Sequence, residues 1–470
     1  MQSAVADGFV ADLRRREFAR LDAENIAYLD YAGAALYADS HIASHRALLG
    51  RSVLGNPHSE HASSVAATGI IDRVRQRVLR FFDAGDDYVV CFTANTSAAI
   101  KLVAESYPYG PQTTCVLAAD NHNSVNGTRQ YARRAGAPVH YLPLDDTLCL
   151  DRPESRLADL IAGSEDPAHD AAVATGVGRV FGPGTESGPG LFAFPAQSNF
   201  SGVHHPLSLI RTAQSLGYRV LLDAAAFVPA HALSLREHPA DFVAISFYKM
   251  FGYPTGVGAL IARRDALAML ERPWFAGGTV DYASVQLERH QLRPLHSAFE
   301  DGTPNFLDLA AIQDGFAFVE RIGLERIAAH TSELARELEA RLTTLRHRSG
   351  ARLVRIYGPV GPRGATVTFN VLDRDGRPVP YDRVERRANA VGVHLRGGCF
   401  CNPGAAEAAF GFDAARMAES LDALGRDFSI PRLQQCMGPD VAVGAVRASI
   451  GLANNRDDIN RCVGVIASFG

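Results

Sequence analysis

The chain has 470 residues, enough for two to four domains at roughly 100–200 residues each. Hydrophobic residues make up 47% and charged residues 21%, the balance of a globular protein with a real core. Lys plus Arg number 47 against 51 Asp plus Glu, a net charge of −4 without long like-charge runs, which argues against charge-driven binding to nucleic acid or a membrane surface.

No apolar run reaches the roughly 18 residues that a transmembrane helix needs. The opening MQSAVADGFVADLRRREFARL lacks an apolar h-region and carries Asp7 and Asp12, unlike a secretory or organellar leader. Seven cysteines, an odd and scattered set, fit a reducing cytoplasm better than a disulfide scaffold.

In chain order, YVVCFT (88–93) reads as a strand, followed by a helical pattern from Ser97 with Ile100, Val103 and Ala104 on one face. CVLAAD (115–120) and PVHYLPL (138–144) read as strands around the helix-like QYARRAGA. Residues 151–190 are rich in Pro, Gly and charge, and FGPGTESGPG at their end reads as a surface excursion. LFAFPAQSNF, YRVLLDAAAF and DFVAISFYK then read as strands, with PLSLIRTAQSLGY as a helical spacer. Continuous apolar strands separated by helices predict an α/β unit with a mostly parallel sheet covered on both faces.

After about residue 305 the pattern changes. Two helical stretches, LAAIQDGFAFVERIG and LERIAAHTSELARELEARLTTLRHR, precede the strand-like ARLVRIYG and GATVTFNVLD. Then come helix-like YDRVERRANAVG, the run VHLRGG, strand-like AVRASIG and helix-like DDINRCVGVIASF. This order predicts a smaller α+β domain over 306–470, joined by the N-terminal segment 1–29, beside a large domain over 30–305.

Four features carry chemistry. Asp223 ends the strand YRVLLD, and Lys249 ends the strand-like DFVAISFYK 26 residues later. Both fall at carboxyl ends of parallel strands, the rim where open α/β sheets bind ligands. A lysine that forms a Schiff base and an acid that keeps a pyridine nitrogen protonated suit pyridoxal 5'-phosphate (PLP). Alone, each residue is more simply a cap or a solvated side chain. FTANTSAAIKLV (92–103) places Thr96 and Ser97 at a helix N-terminus, a seat for phosphate or simply an N-cap. RGGCFCNPG (396–404) puts Cys401 on a glycine-rich loop, where it is a candidate thiolate nucleophile. An inert cysteine, a redox pair with Cys399, or metal ligation with His58, His61 or His394 compete. The metal reading is weak, because no second C-x-x-C or spaced His pair accompanies the C-x-C.

Further stretches carry a resemblance: YLDYAGAALY (28–37), LGNPHS (54–59), FAFPAQSNFSG (192–202), VLLDAAAFV (220–228), ISFYKMFGYPTGVGAL (245–260), FEDGTPNF (299–306), RGGCFCNPGA (396–405) and GAVRASIG (444–451). With FTANTSAAIKLVAE they run in order along nearly the whole chain. The chain resembles the class V aminotransferase and cysteine desulfurase group of fold type I PLP enzymes. Within that group it looks most like the desulfurase-like N-terminal domain of molybdenum cofactor sulfurases.

The resemblance implies a seven-stranded, mostly parallel sheet in the large domain and a homodimer with shared sites. It implies Lys249 as the PLP lysine, Asp223 at the pyridine nitrogen and His122 stacked on the ring, relaying protons. Thr96, Ser97 and Ser246 would hold the phosphate, with Thr279 reaching the phosphate of the partner subunit. Asn199 and Arg447 would bind the substrate carboxylate, with Arg396 at the mouth. Cys401 matches the sulfur-accepting cysteine in the pattern R-x-G-x-x-C. Ala226 stands where many desulfurases have Gln, and Tyr248 stands beside the lysine where they have His, as in the sulfurase branch.

The implied activity is L-cysteine desulfuration, leaving a persulfide on Cys401, releasing alanine and passing sulfur to an acceptor protein or small molecule. The sulfurases continue into a further domain and this sequence stops at Gly470, so the acceptor is open. A PLP-dependent C–S lyase or other class V enzyme is the alternative, and a non-catalytic sulfur carrier or scaffold is the alternative of another class.

Overall fold

The computed structural model describes residues 2–162, 189–359 and 363–470. The excursion expected at FGPGTESGPG lies almost wholly outside them, whereas DRPESR leads into a helix, Pro153–Ala162.

Seven short apolar runs build the main sheet: β2 (Tyr88–Thr93), β3 (Cys115–Ala118), β4 (Val139–Leu142), β5 (Gly190–Pro195), β6 (Tyr218–Asp223), β7 (Phe242–Ser246) and β8 (Gly258–Arg263). Their order is β2-β8-β7-β6-β5-β3-β4. Only β8 runs against the others, pairing antiparallel with both β2 and β7. Side chains alternate between two buried faces: Val116, Val220 and Leu222 enter one apolar cluster, Cys115, Leu117 and Leu221 the other. Burial on both sides explains why these strands read as unbroken apolar runs rather than alternating ones. Phe192 and Phe194 are wholly buried; truncating either to alanine would cost about 3–5 kcal/mol.

The second sheet has the order β11 (Val354–Tyr357), β12 (Thr366–Val371), β15 (Ala445–Ser449) and β14 (Arg396–Gly398). Its core takes Val367, Phe369, Val446 and Ala448 against Leu338 and Leu342 of the helix Leu324–Thr344. The N-terminal segment joins this unit. β1 (Ala27–Tyr28) pairs parallel with β13 (Val393–His394), and Asp30 bridges to Ser449. The helix Phe306–Ile322 instead sends Leu309, Ile312 and Phe316 into the larger core cluster. A hairpin, β9 (Val280–Ser284) and β10 (Arg289–Leu292), exposes Tyr282, Val285 and Leu287.

One expected element is corrected. DFVAISFYK is not strand to its end: β7 stops at Ser246, and Lys249 lies in a one-turn helix, Phe247–Phe251, closed by Gly252 at φ +81°. A continuous apolar run does not distinguish a buried strand from a buried helical turn. The turn leaves Ser246 at the rim and carries Lys249 beyond it.

Candidate active site

The carboxyl edge of the sheet gathers Thr96 after β2, His122 after β3, Asn199 after β5, Asp223 on β6 and Ser246 on β7. β8 begins at that edge with Gly258, opposite both Thr93 and Ser246.

Asn95, rather than Thr96 or Ser97, caps the helix Thr96–Ser106, its Oδ1 accepting from Ala98 N at 3.0 Å. The cap frees both hydroxyls. Thr96 N donates to Ser246 Oγ at 2.8 Å, the two hydroxyls lie 2.6 Å apart, and Ser97 Oγ meets Ser124 Oγ at 2.5 Å. A methyl group on Gly258 would stand 2.7 Å from Asn95 Cα and 2.6 Å from Ile245 O, so only glycine lets this turn lie on the sheet. The result is a cluster of hydroxyls at the N-terminus of an eleven-residue helix, where the dipole favours an anion.

Lys249 is half-buried, and desolvation of its amine pushes it below the usual lysine value of 10.5; nearby Asp223 opposes the shift, and Arg447 and Arg396 add to it. Burial also lowers His122, which feels Asp223, Lys249 and Arg447. His122 Nδ1 accepts from Ser124 N at 3.1 Å, which fixes the ring. Asp223 sits in register with Ala244, and its Oδ1 accepts from Ala225 N at 3.0 Å. Tyr248 is half-buried, with burial raising its hydroxyl, and its carbonyl accepts from Ala35 N. Lys249 also borders a cavity of about 60 Å³ walled by Tyr31, Leu36 and Leu452. A larger cleft of about 530 Å³, lined by Asp72, Arg77 and Asp314, shares no residue with this site.

Arg447 and Arg396 face each other across one carboxylate. Asp30 accepts from Arg447 Nη2 at 3.1 Å and from Arg396 Nε and Nη2 at 2.9 and 2.5 Å. Arg447 is only 2% exposed, and Arg396 is 49% exposed. Breaking a buried pair costs about 3–5 kcal/mol, an exposed one about 1 kcal/mol or less, so Asp30 matters most to Arg447. Burial still pushes the Arg447 guanidinium down to about 10, with Asp30 opposing. Arg447 Nη1 donates to Asn199 O at 2.8 Å, and its Nε has no partner among the described residues.

Asn199 also reaches the cysteine loop, donating through Nδ2 to Phe400 O at 2.7 Å. Asn123 N donates to Cys401 O at 2.7 Å. Phe400 and Cys401 both have φ +56°. Left-handed backbone costs roughly 1–2 kcal/mol per non-glycine residue, and these bonds hold the loop in it. Cys401 is exposed and Cys399 half-buried.

Thr279 stands apart from the other expected residues. It is buried, its hydroxyl closes a turn with Ala276, and none of its described bonds reaches Lys249, Thr96 or Ser246. Sequence reasoning passed over Asp30, Asp120, Asn402 and Gly258. The first, third and fourth lie inside stretches quoted for the resemblance, and Asp120 stands two residues before His122, so the signal was adjacency alone.

The Aminotransferase class-V family model matches residues 27–175 and 185–462. The chain is 37% identical over 483 residues to a human protein named molybdenum cofactor sulfurase, covering 96% of this chain and 50% of the relative. It is 34% identical over 438 residues to one from Oryza sativa subsp. japonica, covering 88% of this chain and 52% of the relative. It thus spans about half the length of these curated relatives. Among solved structures, the apo cysteine desulfurase of Thermococcus onnurineus NA1 superposes with a TM-score of 0.74 at 23% identity, covering 97% of each chain. The Escherichia coli cysteine desulfurase CsdA gives 0.73 at 20% identity, covering 98% of each. At those identities the two structures speak for the fold.

Proposed function

The chain belongs to the aminotransferase class-V family, and from that premise we propose that it takes sulfur from L-cysteine onto Cys401, releases alanine and hands the sulfur to an acceptor. The family works with PLP, and the residues here fit that group. Thr96, Ser97 and Ser246 would hold its phosphate, Asp223 its ring nitrogen, His122 its ring face and Lys249 its aldehyde carbon. Tyr248 lies beside that lysine. When bound, PLP supplies an electron sink for the substrate α-carbon.

The remaining work falls to the chain itself. Arg447, whose buried Nε has no partner among the described residues, would bind the substrate carboxylate. An amine with a lowered pKa is suited to take the α-proton, and Lys249 is such an amine. The Cys401 thiolate then attacks the substrate sulfur as the Cβ–S bond breaks, the electron pair staying with the carbon skeleton, which is protonated and leaves as alanine; the persulfide forms at an exposed position from which an acceptor can collect it.

One observation carries desulfuration over simple elimination. Asn199 accepts from Arg447 through its carbonyl and holds the cysteine loop through its amide, at 2.8 and 2.7 Å. The carboxylate arginine and the sulfur-accepting loop are thereby set by one residue.

The names of the relatives make molybdenum cofactor the first acceptor to try. The apolar tip of the β9–β10 hairpin, with Val285 96% exposed, supports a homodimer in which Thr279 lies near the partner's phosphate. The test is incubation of the PLP-loaded protein with L-cysteine while alanine, pyruvate and sulfide are followed. Alanine that disappears in Cys401→Ala supports the reading; pyruvate that persists in that variant makes the protein a lyase.

A further inference from the structure

The anion site carries its own carboxylate. Two guanidinium groups, Arg447 and Arg396, converge on Asp30, which binds both. The arrangement is built for that pairing. A methyl group on Gly33 would stand 2.6 Å from both Arg396 Nη2 and Asp30 Oδ2, so this turn leaves room for the pair only with glycine. The turn is held from behind, where Gly33 N donates to Asp30 O at 2.9 Å and Ala32 N to Ser449 Oγ at 2.9 Å.

Two positive charges and one negative leave the cluster a single net positive charge. Arg447 Nη1 is taken by Asn199 O and Nη2 by Asp30, while Nε, in a side chain 2% exposed, lacks a partner among the described residues. The three groups therefore carry one uncompensated positive charge. That charge is matched by one carboxylate. For a second anionic group on the ligand, the charge of the other arginine is already neutralised by Asp30, and like charges are repelled strongly where water is scarce.

We infer that Asp30 is a specificity-determining residue that sets the charge of the substrate site, admitting amino acids with a neutral side chain and excluding those with an anionic one. This rests on the proposed carboxylate role of Arg447, and it adds a reason why the substrate class is neutral. Asp30 acts through the two arginines, as a positioning and charge-setting residue.

The test compares dissociation constants of L-alanine and L-aspartate, which share a backbone and differ by one anionic group, by calorimetry on the PLP-loaded protein. Wild type is expected to favour L-alanine. Asp30→Asn is expected to move the ratio toward L-aspartate by roughly tenfold or more, the size of one charge a few ångströms away. The double variant Asp30→Asn/Arg396→Gln restores the net charge and is expected to restore the wild-type ratio. A purely structural role would weaken both ligands alike in Asp30→Asn, and the second substitution would not restore the ratio; either result overturns the inference. Should Asp30→Asn fail to fold, Arg396→Gln alone is read instead. It must penalise L-aspartate more than L-alanine, and an unchanged ratio overturns the inference. If Arg447→Gln leaves L-alanine binding intact, the carboxylate role of Arg447 is what fails, and the inference falls with it.

Discussion

Asn402 donates its side-chain amide to Asp120 Oδ1 over 2.7 Å, one residue past Cys401 and two before His122. Asp120 is buried and also accepts from Ser198 Oγ and pairs with His205 Nε2, both at 2.8 Å. The same amide reaches Asn199 Oδ1 at 3.0 Å. A single carboxylate thus ties the cysteine loop to the strand ends that hold His122 and Asn199.

Asn402→Ala should be damaging for two reasons. Its Oδ1 caps the helix Pro403–Phe410 by accepting from Ala405 N at 3.1 Å, a contribution of about 1 kcal/mol. Losing the amide leaves buried Asp120 short of a donor, about 1–3 kcal/mol more. Urea denaturation is expected to show a loss of about 2–4 kcal/mol in total. Asn402→Asp, which keeps the cap but sets a carboxylate against Asp120, is expected to be worse still. Alanine formation should fall in Asn402→Ala more than PLP binding does, because the loop is released and the phosphate seat is not.

The two loop cysteines should separate cleanly. Cys401 is exposed, whereas Cys399 packs against the cluster around Phe200 and Tyr357. Cys401→Ser is expected to cut alanine formation by roughly a hundredfold or more while the visible absorbance of the lysine-bound cofactor persists. Cys399→Ser should retain most activity. A large loss in Cys399→Ser with an active Cys401→Ser would exchange their roles.

Lys249 makes the cofactor-free protein pH-sensitive. Burial lowers its pKa below 10.5, so the unfolded chain binds the proton more readily than the folded one. Stability is therefore lost as pH falls from 10.5 toward the lowered value. Lys249→Met is expected to raise the Tm of the cofactor-free protein, with the gain larger at neutral pH than near 10.5. Thermal melts across that range decide it; a gain that grows with pH contradicts the burial argument. The same variant should lose the visible cofactor band and all turnover.

Gly258→Ala should weaken the phosphate seat. Its added carbon meets backbone atoms of Asn95 and Ile245, which cannot rotate away. Overpacking of this kind costs about 1–3 kcal/mol, and displacement of the Asn95–Thr96 turn should weaken PLP binding by roughly tenfold or more. Gly464→Ala is the control. It lies in the helix Arg456–Ala467 with nothing within 4 Å of the added carbon, and is expected to stabilise by about 0.5–1 kcal/mol without touching cofactor affinity.

Much of this arrangement is readable from the chain alone because its signals are local. Runs such as YVVCFT and YRVLLD are strands wherever a two-sided core covers them, and they end on the residues that carry chemistry. DFVAISFYK reads as strand through Lys249 because apolar content fixes burial but not backbone conformation. The helices Ala414–Leu424 and Ile430–Met437 escaped notice, since they bury little. The hub at Asp120 and the clamp at Asp30 were illegible for another reason. Each depends on partners brought together by sheet register, and nothing near DYAG or ADNH in the sequence names Arg447 or Asn402.

That separation has a consequence for how the protein is made. Asp30 precedes Arg447 by 417 positions. At roughly 5–20 residues per second, a ribosome that has released Asp30 needs roughly 20–80 seconds more to deliver its arginine. Until Val393 and His394 follow, the strand Ala27–Tyr28 has no β13 to pair with, and its open edge is exposed to chaperones or to neighbouring nascent chains. The anion pocket is therefore among the last parts of the newborn protein to close, and the main sheet can be complete while the molecule is still inert.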